Sequence, residues 1–115
     1  MTSLASEIYK QLRKTLTSKN SITYKELAEL VSKKQPTHQR SPHFHAALTE
    51  VTKACRDHEL PCLPAIVWSA TSKRPSDGYY KAAHPRARTE ESRHAAWEKE
   101  HAAVVRDAAK FPIAL

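Results

Sequence analysis

Glycine is almost missing from this chain, which has only Gly78. Phosphate-cradling loops and dinucleotide fingerprints need several glycines at fixed spacing, so that chemistry is excluded. No apolar run is long enough to span a bilayer, and no membrane partner is expected. The stretch MTSLASEIYKQLRK has no continuous apolar segment followed by a cleavage site, so no secretion signal is expected. Cysteine is scarce: Cys55 and Cys62 can stay reduced and do not make a disulfide framework, which points to the cytoplasm. Acidic residues are outnumbered, 12 Asp+Glu against 19 Lys+Arg, for a net charge of +7. A pI of 9.6 suits an anionic partner, although many small proteins are basic and the placement of the charge has to decide. Internal repeats and low-complexity segments are absent as well.

At 115 residues the chain can build one small core. Leu4, Ile8, Leu12 and Leu16 recur every four positions, widened by Ala5 and Tyr9, and predict an amphipathic helix over 4–16. After a polar break, Ile22 is expected in a short edge strand or as a staple. Thr23 and Glu26 form a T-x-x-E capping box ahead of Leu27, Leu30 and Val31, predicting a helix over Tyr24–Ser32. Residues 33–41, KKQPTHQRS, have no apolar member and read as a basic loop. Ser41 as cap and Pro42 at the first helical position start a helix running to about His58. Its apolar stripe is Phe44, Leu48, Val51 and Cys55; the opposite face carries His45, Ala46, Thr49, Thr52, Lys53 and Arg56. Leu63–Trp68 has strand composition, Pro75-Ser76-Asp77-Gly78 has turn chemistry, and Tyr79-Tyr80-Lys81 is expected to return as the second strand of a hairpin. Thr89 caps a last helix extending to about Lys110, with Glu90 and Glu91 in its first turn.

Helix, loop, helix and hairpin is the winged helix-turn-helix order. The expected class is therefore α+β, mostly helical: a winged-helix domain with an N-terminal helix over 1–88, and a C-terminal helix with apolar tail over 89–115, packed on it or on a partner. Phosphate contacts are expected from Lys33, Lys34, Arg40, Lys53, Lys73 and Arg74, the last two at the tip of the wing. His43, His45 and Thr49 are expected on the groove-facing side of the recognition helix, Pro42–His58. The line Trp97, His101, Val104 and Phe111 on the last helix is a candidate partner interface. It would serve a homodimer or another protein, with docking against the first helix as the alternative.

ITYKELAELV, then FHAALTEV, then LPCLPAIVW before a Gly-Tyr pair carry a family resemblance. Over about half the chain, Ser21–Tyr80, this pattern resembles the winged-helix domain of the alkyltransferase and alkyltransferase-like DNA-repair proteins. The resemblance implies a winged fold and DNA or RNA as partner. It does not imply alkyl transfer, because the P-C-H-R motif is absent: Leu63-Pro64 follow Cys62, and Trp68 falls at or near the reactive position.

Two other chemistries have partial residue sets in the sequence. Cys55, His58 and Cys62 form C-x2-H-x3-C, but zinc needs a fourth ligand from His43, His45 or His84, and Cys55 already completes an apolar stripe. His43-x-His45 is the best anchor for a metal-dependent nuclease, yet Glu50, Asp57 and Glu59 lie one or more turns away. No metal or cofactor is expected. The leading reading is a non-enzymatic nucleic-acid-binding protein, with duplex DNA as partner, acting as a regulator or small accessory protein. The second is a protein-interaction module or inhibitor using the C-terminal helix. A nuclease comes third.

Overall fold

The structure is a computed structural model describing residues 1–115. It is mostly helical with one small parallel sheet of two strands, an α+β arrangement. Helix α1 spans Ser3–Thr15, strand β1 Ile22–Thr23, α2 Tyr24–Ser32 and α3 Pro42–Asp57. Strand β2 is Val67–Trp68, α4 Asp77–Ala83 and α5 Glu90–Arg106. Short 3-10 turns cover Leu63–Ile66 and Ala108–Lys110.

Helix α1 turns Ala5, Ile8, Tyr9 and Leu12 fully inward, while Leu4 and Leu16 sit half-buried at the rim. Its start is capped twice. The Thr2 hydroxyl accepts from Ala5 N–H, and the Thr2 N–H and hydroxyl both donate to the Glu50 carboxylate of α3, at 2.8 and 2.9 Å. The T-x-x-E box of α2 forms in both directions, each hydrogen bond 3.1 Å long. On α3, Phe44, Leu48, Val51 and Cys55 face the core, joined by Ala47 and Thr52. Thr52 was expected on the outer face. It is buried instead and donates its hydroxyl to Leu48 O, a bond that makes burial of the group tolerable.

The expected hairpin does not form. Val67 and Trp68 pair with Ile22 and Thr23 in parallel, and Tyr79-Tyr80-Lys81 is helical rather than a returning strand. Two causes are visible. Pro64 has no N–H to give a ladder, and Leu63–Ile66 winds into a 3-10 turn with all four side chains buried. Tyr79 and Tyr80 are both buried, which adjacent residues on one strand cannot manage on a single face but adjacent helical residues can. Ser76-Asp77 is thus a helix start, with Ser76 as N-cap and Asp77 in the first turn, rather than a hairpin turn.

Helix α5 packs on the Leu63–Ile66 turn and shares the chain's single hydrophobic cluster. Trp97 is buried and donates its indole N–H to Ala65 O at 2.8 Å; Val104 and Phe111 are buried too. The tail is tied down as well, with the Tyr9 hydroxyl donating to Pro112 O and Arg13 Nε to Phe111 O. No helix is long and apolar enough to cross a membrane.

With one glycine available, the chain puts other residues in left-handed backbone. Glu59, just beyond the end of α3, has φ 56° and Lys73 has φ 59°. The Glu59 conformation lets Leu60 N–H reach back to Cys55 O, closing the helix end. A side chain there is strained, so Glu59→Gly is expected to raise stability by about 1 kcal/mol, less the extra freedom glycine gives the unfolded chain. Urea denaturation checks this; a destabilised variant would mean that Glu59 makes an interaction worth more than its strain.

Candidate nucleic-acid interface

The α2–loop–α3 unit is held together by polar groups, because its loop has no apolar residue. Ser32 Oγ donates to Thr37 O at 2.7 Å and accepts Thr37 N–H at 3.2 Å. Arg40 N–H donates to His38 Nδ1, and His45 Nε2 donates to Gln39 O at 2.6 Å. These bonds tie the loop back to both helices and leave the Arg40 side chain exposed. From Leu30 to Thr49 the sequence has no acidic residue, while it holds Lys33, Lys34, Arg40, His38, His43 and His45.

A cleft of about 200 Å³ opens beside α3, between it and the start of α4. His45, Ala46, Leu48, Thr49 and Thr52 form one wall, and Tyr24, Pro64, Ser76, Gly78 and Tyr79 the other. No acidic side chain lines it. Its volume is below that of an ordinary small-molecule pocket and fits one ring system. Several of its polar groups are already used. The Tyr24 hydroxyl donates to Ser76 Oγ and accepts Ser76 N–H at 2.8 Å, and burial pushes its pKa up. The Tyr79 hydroxyl is 2.8 Å from His84 Nε2, and burial raises its pKa steeply, helped by the nearby Glu100 carboxylate. What the cleft offers a ligand is aromatic faces, the Thr49 hydroxyl and His45 Nδ1. Because a carbonyl only accepts, His45 carries its hydrogen on Nε2, which makes Nδ1 an acceptor in the neutral ring. The Tyr24 and His45 rings lie 5.7 Å apart, tilted by 46°.

The sequence-predicted residues divide among several places. His45 and Thr49 line this cleft; Lys33, Lys34, Arg40 and His43 do not, and are exposed on the α2 end, the loop and the start of α3. Lys33, Lys34, Arg40, Lys53 and Lys73 have no acidic partner within salt-bridge distance, whereas Arg74 is paired with Glu90 at 2.5 Å. Lys53 lies in a different groove, between Glu50 and Asp57, which weakens it as a phosphate contact. Lys73 is exposed at a turn, Ser69–Arg74, that is closed by Ser69 N–H donating to Arg74 O at 3.0 Å. With no hairpin formed, Lys73 and Arg74 are not at the tip of a wing. Tyr24, Pro64, Ser76 and Gly78 were not expected in the site. They come from three separate stretches, and only the fold brings them to α3.

The partner-interface line fails as an exposed surface. Trp97, Val104 and Phe111 face the chain's own core, and His101 Nε2 donates to Asn20 O at 2.7 Å beside the Trp68 and Trp97 rings. A homodimer cannot use side chains already buried in the protomer. Cys55 and Cys62 are likewise core residues, and burial pushes their thiols up to about 11 and about 12. His58 is exposed with Nδ1 on Ala54 O, so the C-x2-H-x3-C trio is not gathered as a metal cluster.

Behind the cleft, α5 contributes a polar hub. Glu100 accepts Arg56 Nη2 at 2.8 Å and Cys62 N–H at 2.9 Å, with His84 Nε2 4.0 Å away. Burial holds the His84 imidazole below its ordinary 6.5 and Arg56 adds to that, while Glu100 opposes both. The folded chain therefore binds fewer protons here than the unfolded chain as pH falls through 6.5. The contribution of His84 is fully present above that pH and is lost on going down through the folded value. Melting temperature is expected to fall between pH 7.5 and 5.5, and His84→Gln to flatten part of the slope. An unchanged slope in the variant would place the titrating group elsewhere.

No family model matches the chain, and no match to it was found among curated proteins or solved structures.

Proposed function

We propose that this chain is a non-enzymatic nucleic-acid-binding module of the winged-helix type, with duplex DNA as its partner. In this reading α2 and α3 form the helix-loop-helix and α3 lies along a groove. Lys33, Lys34 and Arg40 meet phosphates on one side. His43, Ala46 and Thr49 face base edges. The cleft beside α3 is an apolar seat for a single base, stacked against the Tyr24 or His45 ring. The observation that carries the reading is the acid-free stretch Leu30–Thr49, whose last residues His45, Ala46, Leu48 and Thr49 line an acid-free cleft, in a chain of net charge +7.

The test is a titration of labelled duplex DNA, single-stranded DNA and RNA at about 50 and 200 mM salt, read by fluorescence anisotropy. Duplex binding that weakens several-fold or more with salt supports the reading. Preference for a single strand would keep the cleft and remove the groove. Absence of binding to all three would end the reading.

A further inference from the structure

A second cleft, of about 270 Å³, opens where α4 meets α5. Arg74, Arg88 and Arg93 surround it with Tyr80, Asp77 and Glu90. Residues 74–80 are the ridge between the two clefts: Ser76, Gly78 and Tyr79 line the first, Arg74, Asp77 and Tyr80 the second. The rings of Tyr79 and Tyr80 meet edge to face at 5.3 Å across that ridge.

The three arginines are held differently. Arg93 donates through Nε to Ala87 O at 3.2 Å and through Nη1 to Asp77 at 2.7 Å, and its guanidinium lies 5.1 Å from the Tyr80 ring centroid. It is fixed in place with Nη2 uncommitted, which is the pre-organised fork that oxyanion recognition needs. Arg88 is exposed and has neither an acidic partner nor a side-chain hydrogen bond within the chain. Arg74 is paired with Glu90, but the Glu90 side chain is 78% exposed. An exposed pair of this kind contributes little stability, so an incoming phosphate can take the carboxylate's place. Asp77 is shared between Arg93 and Lys81, so the two carboxylates do not neutralise the cations gathered there.

We infer that this second cleft holds a backbone phosphate of the nucleic acid bound at α3, with Arg88 and Arg93 as donors and Glu90 as the group that phosphate displaces from Arg74. The inference rests on the nucleic-acid reading of the α3 face. It extends the footprint over the 74–80 ridge, and it makes Glu90 a brake on binding.

Two substitutions of opposite sign test it, both at exposed side chains. A labelled duplex of about two helical turns is titrated with the full chain at about 50 and 200 mM salt. Arg88→Gln is expected to weaken binding about threefold and to make the slope of log affinity against log salt shallower by about 1. Glu90→Gln is expected to tighten binding about threefold, because a competitor for Arg74 is gone. Circular dichroism on both variants confirms that α5 remains folded. If the wild-type chain binds and both variants match it, the second cleft is not a phosphate site and the α3 reading stands alone. If the wild-type chain binds no duplex, the α3 reading fails and this inference fails with it.

Discussion

Replacing Trp97 with alanine will lower the stability of the isolated chain by about 3–5 kcal/mol, the range for deleting a buried aromatic side chain. The indole is buried against the Leu63–Ile66 turn and packs edge to face on Trp68, with ring centroids 5.7 Å apart. Its N–H is the donor to Ala65 O, so alanine leaves both a cavity and an unpaired carbonyl. Trp97→Phe separates the two effects: it keeps most of the packing and loses only the hydrogen bond, so it falls between alanine and wild type. Urea denaturation at two protein concentrations is the measurement. A Trp97→Ala chain as stable as wild type would contradict the placement of α5 on its own domain. It would also return Trp97 to the partner surface that its apolar line suggests.

Reversing three charges, Lys33→Glu, Lys34→Glu and Arg40→Glu together, is expected to weaken duplex binding on the order of 100-fold at low salt, since the three proposed phosphate contacts would become repulsive. Stability is expected to stay within about 0.5 kcal/mol, because all three side chains are exposed and none has an acidic partner to lose. The backbone bonds that shape the loop, Thr37 N–H to Ser32 Oγ and Arg40 N–H to His38 Nδ1, do not depend on these side chains. Wild-type affinity in the triple variant would remove the α2–loop–α3 unit from the interface.

Helices α1, α2, α3 and α5 were legible in the sequence because their signals are local, whereas α4 was not. The α2 capping box, Pro42 at the first turn of α3 and the four-residue spacing in α1 each depend only on neighbours along the chain. The 63–80 region was not legible. Its hydrophobic, β-branched and aromatic composition suits a strand, but burial of both Tyr79 and Tyr80 and the 3-10 turn at Pro64 follow from packing on α3 and α5. The parallel pairing of Ile22 with Val67 joins residues distant in sequence and leaves no local signature. The Trp97–Phe111 line is legible as apolar, but periodicity does not say what covers a face; the Leu63–Ile66 turn covers Trp97, and α1 holds the Phe111 end. His101, the one polar member of that line, is satisfied by a carbonyl from the α1–β1 connection. Of the candidate site, the basic loop was visible in composition. The cleft was not, since Tyr24, Pro64, Ser76 and Gly78 reach α3 only through the tertiary fold.

Backbone amide chemical-shift mapping, with a short duplex titrated into labelled protein, tests the central claim most directly. The account predicts that perturbations concentrate in residues 33–49 and on the 74–80 ridge, with the exposed C-terminal half of α5 around Lys99, Ala102 and Arg106 unaffected. Perturbations confined to that half of α5, or none on α3 at saturating duplex, would contradict it.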